Sequence, residues 1–163
     1  MRPPLPALLA LALLAGCSGG SDGPGQVRVQ VGPQDVDLRP TQGCVNGERT
    51  RYETAPPVLE VSPGAPITLS VPDAIAEQGW SVQVFDERLE KQLGEVDVPD
   101  GEARFDGIGT SDVVPPAFYL VIVEDKGGDC GEWSAAWPVG FLRAGGDLGT
   151  TTSPSSSPPS SSG

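Results

Sequence analysis

The residues that most often carry enzymatic chemistry are scarce in this sequence, and one type is missing. None of the 163 residues is a histidine. This excludes a Ser-His-Asp or Cys-His catalytic set and every metal site that depends on an imidazole ligand. The sequence shows no other nucleophile–base motif. It therefore predicts a protein that is not an enzyme and that holds no cofactor.

Carboxylates are the chemically active groups that the chain has in excess. There are 22 Asp and Glu against 10 Lys and Arg, a formal net charge of −12. This argues against nucleic-acid binding, which needs clustered basic residues. Calcium prefers oxygen ligands, but neither acidic cluster follows the Asp-x-Asp-x-Asp-Gly loop with its later Glu. We expect solvated acidic surfaces and no metal, with a weak calcium site as the alternative, for Glu95, Asp97, Asp100, Glu102 and Asp106 and for Glu124, Asp125, Asp129 and Glu132.

Residues 1–17 have the organisation of an export signal. Arg2 gives a positive start, and residues 5–15 are almost entirely Leu and Ala. This apolar run is too short to cross a hydrocarbon layer of about 30 Å as a helix, so residues 1–16 are predicted to be a signal peptide. The sequence Leu14-Ala15-Gly16-Cys17 resembles the lipobox of bacterial lipoproteins. The resemblance implies that Cys17 carries a diacylglyceryl thioether and anchors the mature chain. An ordinary signal peptide with a free Cys17 is the alternative.

The other two cysteines follow from this assignment. The chain has three cysteines, and lipidation of Cys17 leaves Cys44 and Cys130. Outside the cell disulfides persist, so these two are predicted to form one. No Cys-x-x-Cys is present, which disfavours a redox-active thiol. We expect a structural disulfide that closes a long loop.

Both ends of the mature chain are low in complexity. Residues 17–25 combine the lipidated cysteine with a Gly- and Ser-rich stretch that is typical of a flexible tether. Residues 144–163 are rich in Gly, Ser, Thr and Pro and are predicted to be disordered, because they cannot offset the entropy of ordering. An O-glycosylated stalk is an alternative for this tail.

The intervening residues 26–143 are the size of one domain and show a dominant period of two. Such alternation indicates half-buried antiparallel strands. About 7–9 short strands with frequent turns predict an immunoglobulin-like β-sandwich by architecture, with a small β-barrel as the alternative. The last strand, for example, directs one row of residues inward: Trp133, Ala135, Trp137, Val139 and Phe141.

Three local signals refine this prediction. Pro138 cannot donate a hydrogen bond, so the last strand is expected at a sheet edge. Asp100-Gly101 predicts a hairpin turn between strands at residues 95–98 and 103–105. Residues 72–78 begin with a proline and predict a single helical turn with Ile75 packed inward.

One strand, at residues 118–123, is apolar on both faces. Its inward row would be Phe118, Leu120 and Ile122, and its outward row Tyr119, Val121 and Val123. The strand is either central with its outer face covered by a loop, or it exposes an apolar stripe that serves as an interface. The outward row is the candidate interface.

The lipobox, the cysteine pair, Gly32-Pro33 and residues 71–80, whose sequence is VPDAIAEQGW, together resemble a group of actinobacterial lipoproteins classed as a domain of unknown function. Members of that group commonly have a second cysteine near the first, whereas this chain has only Cys44 there. The resemblance implies a single extracytoplasmic domain in the cell envelope and supplies no activity.

These observations favour a module that is anchored to the cell membrane by lipid at Cys17, on its extracytoplasmic face, and that binds or scaffolds another envelope protein. The alternative is a carrier that holds a small ligand or lipid in the sandwich interior. Exposed apolar surface on the outward row of residues 118–123 would favour a protein partner. An enlarged core behind Trp80 and Trp137 would favour a ligand.

Overall fold

The computed structural model describes residues 24–124, 130–131 and 133–146. The predicted signal peptide, Cys17, most of the tether and the tail from residue 147 onward lie outside the described residues. The elements are β1 (Val27–Val31), β2 (Gln34–Leu38), β3 (Gln42–Val45), β4 (Glu48–Arg51), β5 (Val58–Glu60), β6 (Pro66–Ser70), α1 (Asp73–Gln78), β7 (Trp80–Phe85), β8 (Gln92–Asp97), β9 (Arg104–Gly109), β10 (Ala117–Glu124) and β11 (Ala135–Leu142).

The strands form two sheets that face each other. One has four strands in the order β2-β1-β6-β9, and the other has seven, with β4-β3-β11-β10-β7-β8 in order and β5 beside β11. The pairing of β5 with β11 is parallel, and the other pairings are antiparallel. The sheets do not close into a barrel, so the predicted β-sandwich is confirmed.

Four large aromatic residues fill the space between the sheets. Trp80, Trp137, Phe118 and Phe141 are each at most 1% exposed, and the two phenylalanine rings stack with centroids 5.3 Å apart. The Trp80 indole N–H donates to the Glu102 carbonyl at 2.7 Å, and that of Trp137 donates to the Gly25 carbonyl at 2.9 Å. The core therefore buries its indoles without leaving their donors unsatisfied.

The predicted helical turn is present as α1. Ile75 is buried in the core, and the helix ends where Gly79 adopts a φ of 93° and donates its N–H to the Ile75 carbonyl at 3.1 Å. Glycine is favoured here because side chains disfavour this backbone region. Among the described residues, no helix has the length and apolar character that crossing a bilayer requires.

The prediction that the last strand lies at an edge is wrong. Strand β11 is central, because β10 pairs along one side of it while β3 and β5 pair along the other. Thr41 donates to Ala136 and Gly140 donates to Pro57, so alternate residues of β11 face β3 and β5. Pro138 lies between these two contacts, beyond the last residue of β11 that pairs with β3 and before the first that pairs with β5. Its missing N–H therefore costs no ladder hydrogen bond.

The predicted hairpin at Asp100-Gly101 is also wrong. Strand β8 pairs with β7 in the larger sheet, whereas β9 pairs with β6 in the smaller one. Residues 98–103 therefore cross from one sheet to the other. Gly101 does have a positive φ of 81°, but its N–H donates to the Ala76 carbonyl of α1 at 3.0 Å, which directs the chain across the end of the sandwich.

Candidate binding groove on the outer face of the larger sheet

The outer face of the four-stranded sheet is polar. The outward side chains at its centre are Arg28, Gln30, Asp35, Asp37, Thr68, Ser70 and Arg104. Arg28 and Asp35 form a bidentate pair at 2.6 and 2.8 Å, and this hydrogen bonding raises the pKa of Arg28 and lowers the pKa of Asp35. An exposed ion pair of this kind contributes little to stability, so this face has the character of an ordinary solvated surface.

The outer face of the seven-stranded sheet is different, because it holds a groove of about 540 Å³ with mainly apolar and aromatic walls. The groove extends across β7, β10 and β11 and reaches β3 and β4. Its apolar and aromatic residues are Tyr52, Pro56, Phe85, Leu89, Val121, Val123, Trp133, Ala136 and Pro138, and its polar residues are Thr41, Gln42, Arg51, Thr54 and Gln83.

One wall is the segment that links β4 to β5. Tyr52 donates its N–H to the Thr41 carbonyl at 2.9 Å, and Gly140 donates to the Pro57 carbonyl at 2.8 Å. The linker is therefore attached to the sheet near both of its ends. Such anchoring holds Tyr52 and Pro56 beside the sheet face instead of leaving them in solvent.

Leu89 forms part of the opposite rim, in the turn between β7 and β8. It is 36% exposed and has a φ of 58°, an unfavourable region for leucine. One carboxylate oxygen of Asp86 stabilises this turn by accepting the N–H groups of Glu90, Arg88 and Lys91 at 2.9, 3.2 and 3.2 Å. These bonds, that from Glu90 above all, lower the pKa of Asp86. The turn thus holds an apolar side chain at the groove despite a backbone cost of about 1–3 kcal/mol.

The disulfide supports the end of the groove at Trp133. Cys44 on β3 is bonded to Cys130, and Arg49 donates through Nε and Nη2 to the Cys130 carbonyl at 2.9 and 2.8 Å. The same guanidinium lies 4.8 Å from the centroid of the Trp133 ring. A cation–π contact of this kind contributes about 0.5–1 kcal/mol at an exposed site. The predicted disulfide is therefore present, and it holds the segment before β11 against the β3–β4 hairpin.

The structure brings together part of the predicted interface. Val121 and Val123 form the floor of the groove, Val121 half-buried and Val123 only 4% exposed. Tyr119 lies on the same face and is half-buried, but it does not line the groove. Strand β10 is central, and its outer face is buried at Val123 and half-buried at Val121. The use of this row as an interface stays a prediction.

The prediction that Trp133 lies in the core is wrong, because this residue is only half-buried and lines the groove on the outer face. The alternation is real from Ala135 onward, but β11 begins at that residue, so the inward row does not extend back to Trp133. The sequence does not identify three further groove residues, Tyr52, Phe85 and Leu89. Tyr52 and Leu89 lie in connections without periodicity, and Phe85 is the last residue of β7.

The acidic clusters do not form a metal centre in the described part of the chain. There, no three Asp, Glu, His or Cys residues lie close enough to hold a metal ion. Asp125, Asp129 and Glu132 lie outside the described residues. Glu124 is buried and one of its carboxylate oxygens accepts a hydrogen bond from the Ser134 hydroxyl.

Together, the fold and the groove define a small β-sandwich with one polar outer face and, on the other outer face, a mainly apolar groove. A family model described as a protein of unknown function, DUF2771, matches residues 22–103, about half of the chain. The chain therefore belongs to this family. No curated protein and no solved structure matches it. The matched segment contains the groove residues from Thr41 to Leu89, and those on β10 and β11 lie beyond it.

Proposed function

We propose that this protein is a lipid-anchored, extracytoplasmic binding module that docks a cell-envelope protein through the groove on its seven-stranded sheet. The contrast between the two outer faces carries this proposal. One sheet exposes polar residues, as a solvated surface does, whereas the other has a groove in which aromatic and aliphatic side chains predominate. A concave surface lined mainly by apolar and aromatic side chains, with a few polar groups, is typical of a binding site.

The composition of the groove supports a protein partner. Interface cores are enriched in aromatic residues and arginine, with polar groups at the rim. Here Tyr52, Phe85 and Trp133 are combined with Arg51, Gln42 and Gln83. A volume of about 540 Å³ accommodates a few side chains of a docked protein, which would supply the anchoring contacts.

The carrier alternative needs space between the sheets. The core side chains Trp80, Trp137, Phe118 and Phe141 occupy that region and are almost fully buried. Close-packed interiors leave few voids larger than a water molecule. This packing favours binding at the surface over carriage of a ligand in the interior, and we include no catalytic step in the proposal.

Anchoring at Cys17 is the second part of the proposal. The predicted domain begins at residue 26, nine residues after Cys17, and the Trp137–Gly25 hydrogen bond fixes the point at which the chain joins the sandwich. We expect Cys17→Ala to move the protein from the membrane fraction to the soluble fraction, because two acyl chains provide the stable attachment. Membrane association that persists in this variant would contradict the anchoring proposal.

Site-specific photo-crosslinking in intact cells tests the groove. A photoreactive amino acid replaces Leu89 at the groove rim or, as the matched control, Ser70 on the outer face of the four-stranded sheet. We expect a discrete protein adduct from position 89 and none from position 70. Equal adducts from both positions, or none from either, would contradict docking through the groove.

A further inference from the structure

Strand β8 ends the seven-stranded sheet and has a backbone edge without a neighbouring strand in the described part of the chain. Val98 donates its N–H to the Trp80 carbonyl at 3.3 Å. Because hydrogen-bonded and non-hydrogen-bonded pairs alternate in an antiparallel ladder, Val96 and Gly94 also bond to β7. Glu95 and Asp97 therefore direct their N–H and C=O groups away from β7, where another strand can pair with them.

An apolar pocket of about 460 Å³ lies beside this edge. Leu93 is the additional residue where the β7–β8 register shifts, and it is 41% exposed. It lines the pocket with Val84 and with Val113, Val114 and Pro115 from the β9–β10 connection. Val114 is 91% exposed, the highest value among the large apolar side chains of the described residues.

The exposed Val114 belongs to a fixed loop. One nitrogen of Arg143, Nη2, lies 2.7, 3.1 and 2.6 Å from the carbonyl oxygens of Val113, Val114 and Pro115, which share its two hydrogens. Three carbonyls on one guanidinium set the shape of the loop. The apolar side chain is thus displayed at a defined position beside the edge of β8, and a preorganised surface loses less entropy when it binds.

The other sheet edges have features that oppose strand addition. Strand β4 has four residues, three of them charged, and β9 has an irregular register against β6. Strand β2 has two aspartates among its five residues. Charges, short length and irregularity all oppose the addition of another strand. Strand β8 shares two of these features, because it carries Glu95 and Asp97 and has a register shift at Leu93. What favours strand addition at β8 is the apolar pocket beside it, together with acidic side chains that a basic partner can pair with.

We propose that β8 accepts an extended segment of the docked partner as an added strand, with Lys or Arg opposite Glu95 and Asp97 and an apolar side chain in the Leu93–Val114 pocket. This inference rests on the proposed function and names the chemistry of the partner. Strand addition obtains affinity from backbone hydrogen bonds and specificity from side-chain pockets.

Charge selects a basic partner over a second copy of this chain. Glu95 and Asp97 are exposed neighbours on one face of β8, so pairing between two copies of the strand would bring their carboxylates together. Like charges on facing strands are destabilising. Gln83 lines the groove and is the cross-strand neighbour of Glu95, so one partner can contact the groove and the edge at once.

The test measures binding of a blocked peptide of alternating Lys and Val to the purified chain in detergent, with an alternating Glu and Val peptide as its counterpart. Asp97→Pro and Asp97→Asn form a matched pair, since both remove the charge but only proline removes the outward N–H. Proline is tolerated where an edge N–H faces solvent. We expect binding of the Lys–Val peptide only, and about tenfold weaker binding to the proline than to the asparagine variant.

Val114→Asp provides a second variant. Val114 is exposed, so the new carboxylate is not buried and does not unfold the domain, and Val58→Asp on β5 is the exposed control. We expect only the change at Val114 to weaken the Lys–Val peptide. Equal binding of both peptides, or equal affinities of the two Asp97 variants, would overturn strand addition. A dimer of the chain that dissociates in Asp97→Pro would replace the basic partner by a second copy.

The outcomes separate this inference from the proposed function. Loss of peptide binding with crosslinking at Leu89 intact would overturn strand addition and leave groove docking in place. Peptide binding without any crosslink at Leu89 would overturn groove docking and leave strand addition in place.

Discussion

Removal of the Cys44–Cys130 disulfide is predicted to reduce both the global stability and the integrity of the groove. The two cysteines are 86 residues apart in the sequence. In the chain-entropy description, a crosslink that closes a loop of this length contributes about 4–5 kcal/mol. Since whole domains are stable by about 5–15 kcal/mol, the double variant Cys44→Ser, Cys130→Ser should lose a large part of its free energy of unfolding.

The structure also predicts which region responds first. The β3–β4 hairpin is paired with the rest of the sheet at two register positions only, Gly43 with Ala135 and Gln42 with Ala136. Without the disulfide, the hairpin keeps these two pairs and the Arg49 contacts with Cys130 and Trp133, but it loses its covalent link to the segment before β11. We therefore expect faster amide exchange in β3 and β4 than in β10 at denaturant concentrations below the unfolding transition.

Urea denaturation followed by tryptophan fluorescence measures the global effect. The expected loss corresponds to a decrease in Tm of about 15 °C for a domain of this size. Cys17→Ala is the control, because it removes a cysteine without altering the disulfide, and its unfolding curve should be unchanged. A loss below about 1 kcal/mol in the double variant would refute the loop-closure reasoning.

Three further predictions concern single residues. Phe118→Ala should lose about 3–5 kcal/mol of stability in urea denaturation, because the substitution leaves a cavity at the centre of the core. Val114→Ala should change the stability by less than about 0.5 kcal/mol. Similar losses in the two variants would contradict the assigned core. The lowered pKa of Asp86 means that its stabilising effect is present above its ordinary pKa of about 4 and disappears as the pH falls through the lower folded-state value. Melting curves between pH 7 and pH 2 should therefore show less acid destabilisation in Asp86→Asn, and identical pH profiles would count against the proposed role of the carboxylate. Gly47→Ala should cost about 1 kcal/mol in the same denaturation assay, because φ at this position is 79°, and an unchanged stability would argue against the tight turn.

The alternation of apolar residues was sufficient to predict the sandwich. Strands β1 and β6 and the inward rows of β10 and β11 lie where period two placed them, because each has one face on the core. The β3–β4 hairpin was missed, since its strands are short and mostly polar. Asn46-Gly47 is a strong signal for such a hairpin, and both residues have positive φ. This dipeptide therefore predicts the β3–β4 hairpin where periodicity does not.

Pairing between distant strands was not predictable from local signals. Pro138 suggests an edge, but β11 is central, and the proline is tolerated because the gap between β3 and β5 lies opposite the Pro138 nitrogen. Asp100-Gly101 has the sequence of a hairpin turn, but the core requires the chain to change sheets there. In both cases long-range packing overrides the local preference.

The groove was predictable only at its floor. Val121 and Val123 were found because they lie on a strand with regular alternation. Tyr52 and Leu89 come from connections, and their positions depend on hydrogen bonds to Thr41 and Asp86 that periodicity does not encode. Binding residues are often located on loops that a rigid scaffold positions.

The most direct test of groove docking compares the crosslinking yield at Leu89 in intact cells for two charge-introducing variants. Val121→Asp places a carboxylate on the groove floor, and Thr68→Asp places one on the outer face of the other sheet. Docking through the groove predicts loss of the adduct in Val121→Asp and its full retention in Thr68→Asp, with both variants folded and equally abundant. A full yield in Val121→Asp, or an equal loss in both, would contradict it.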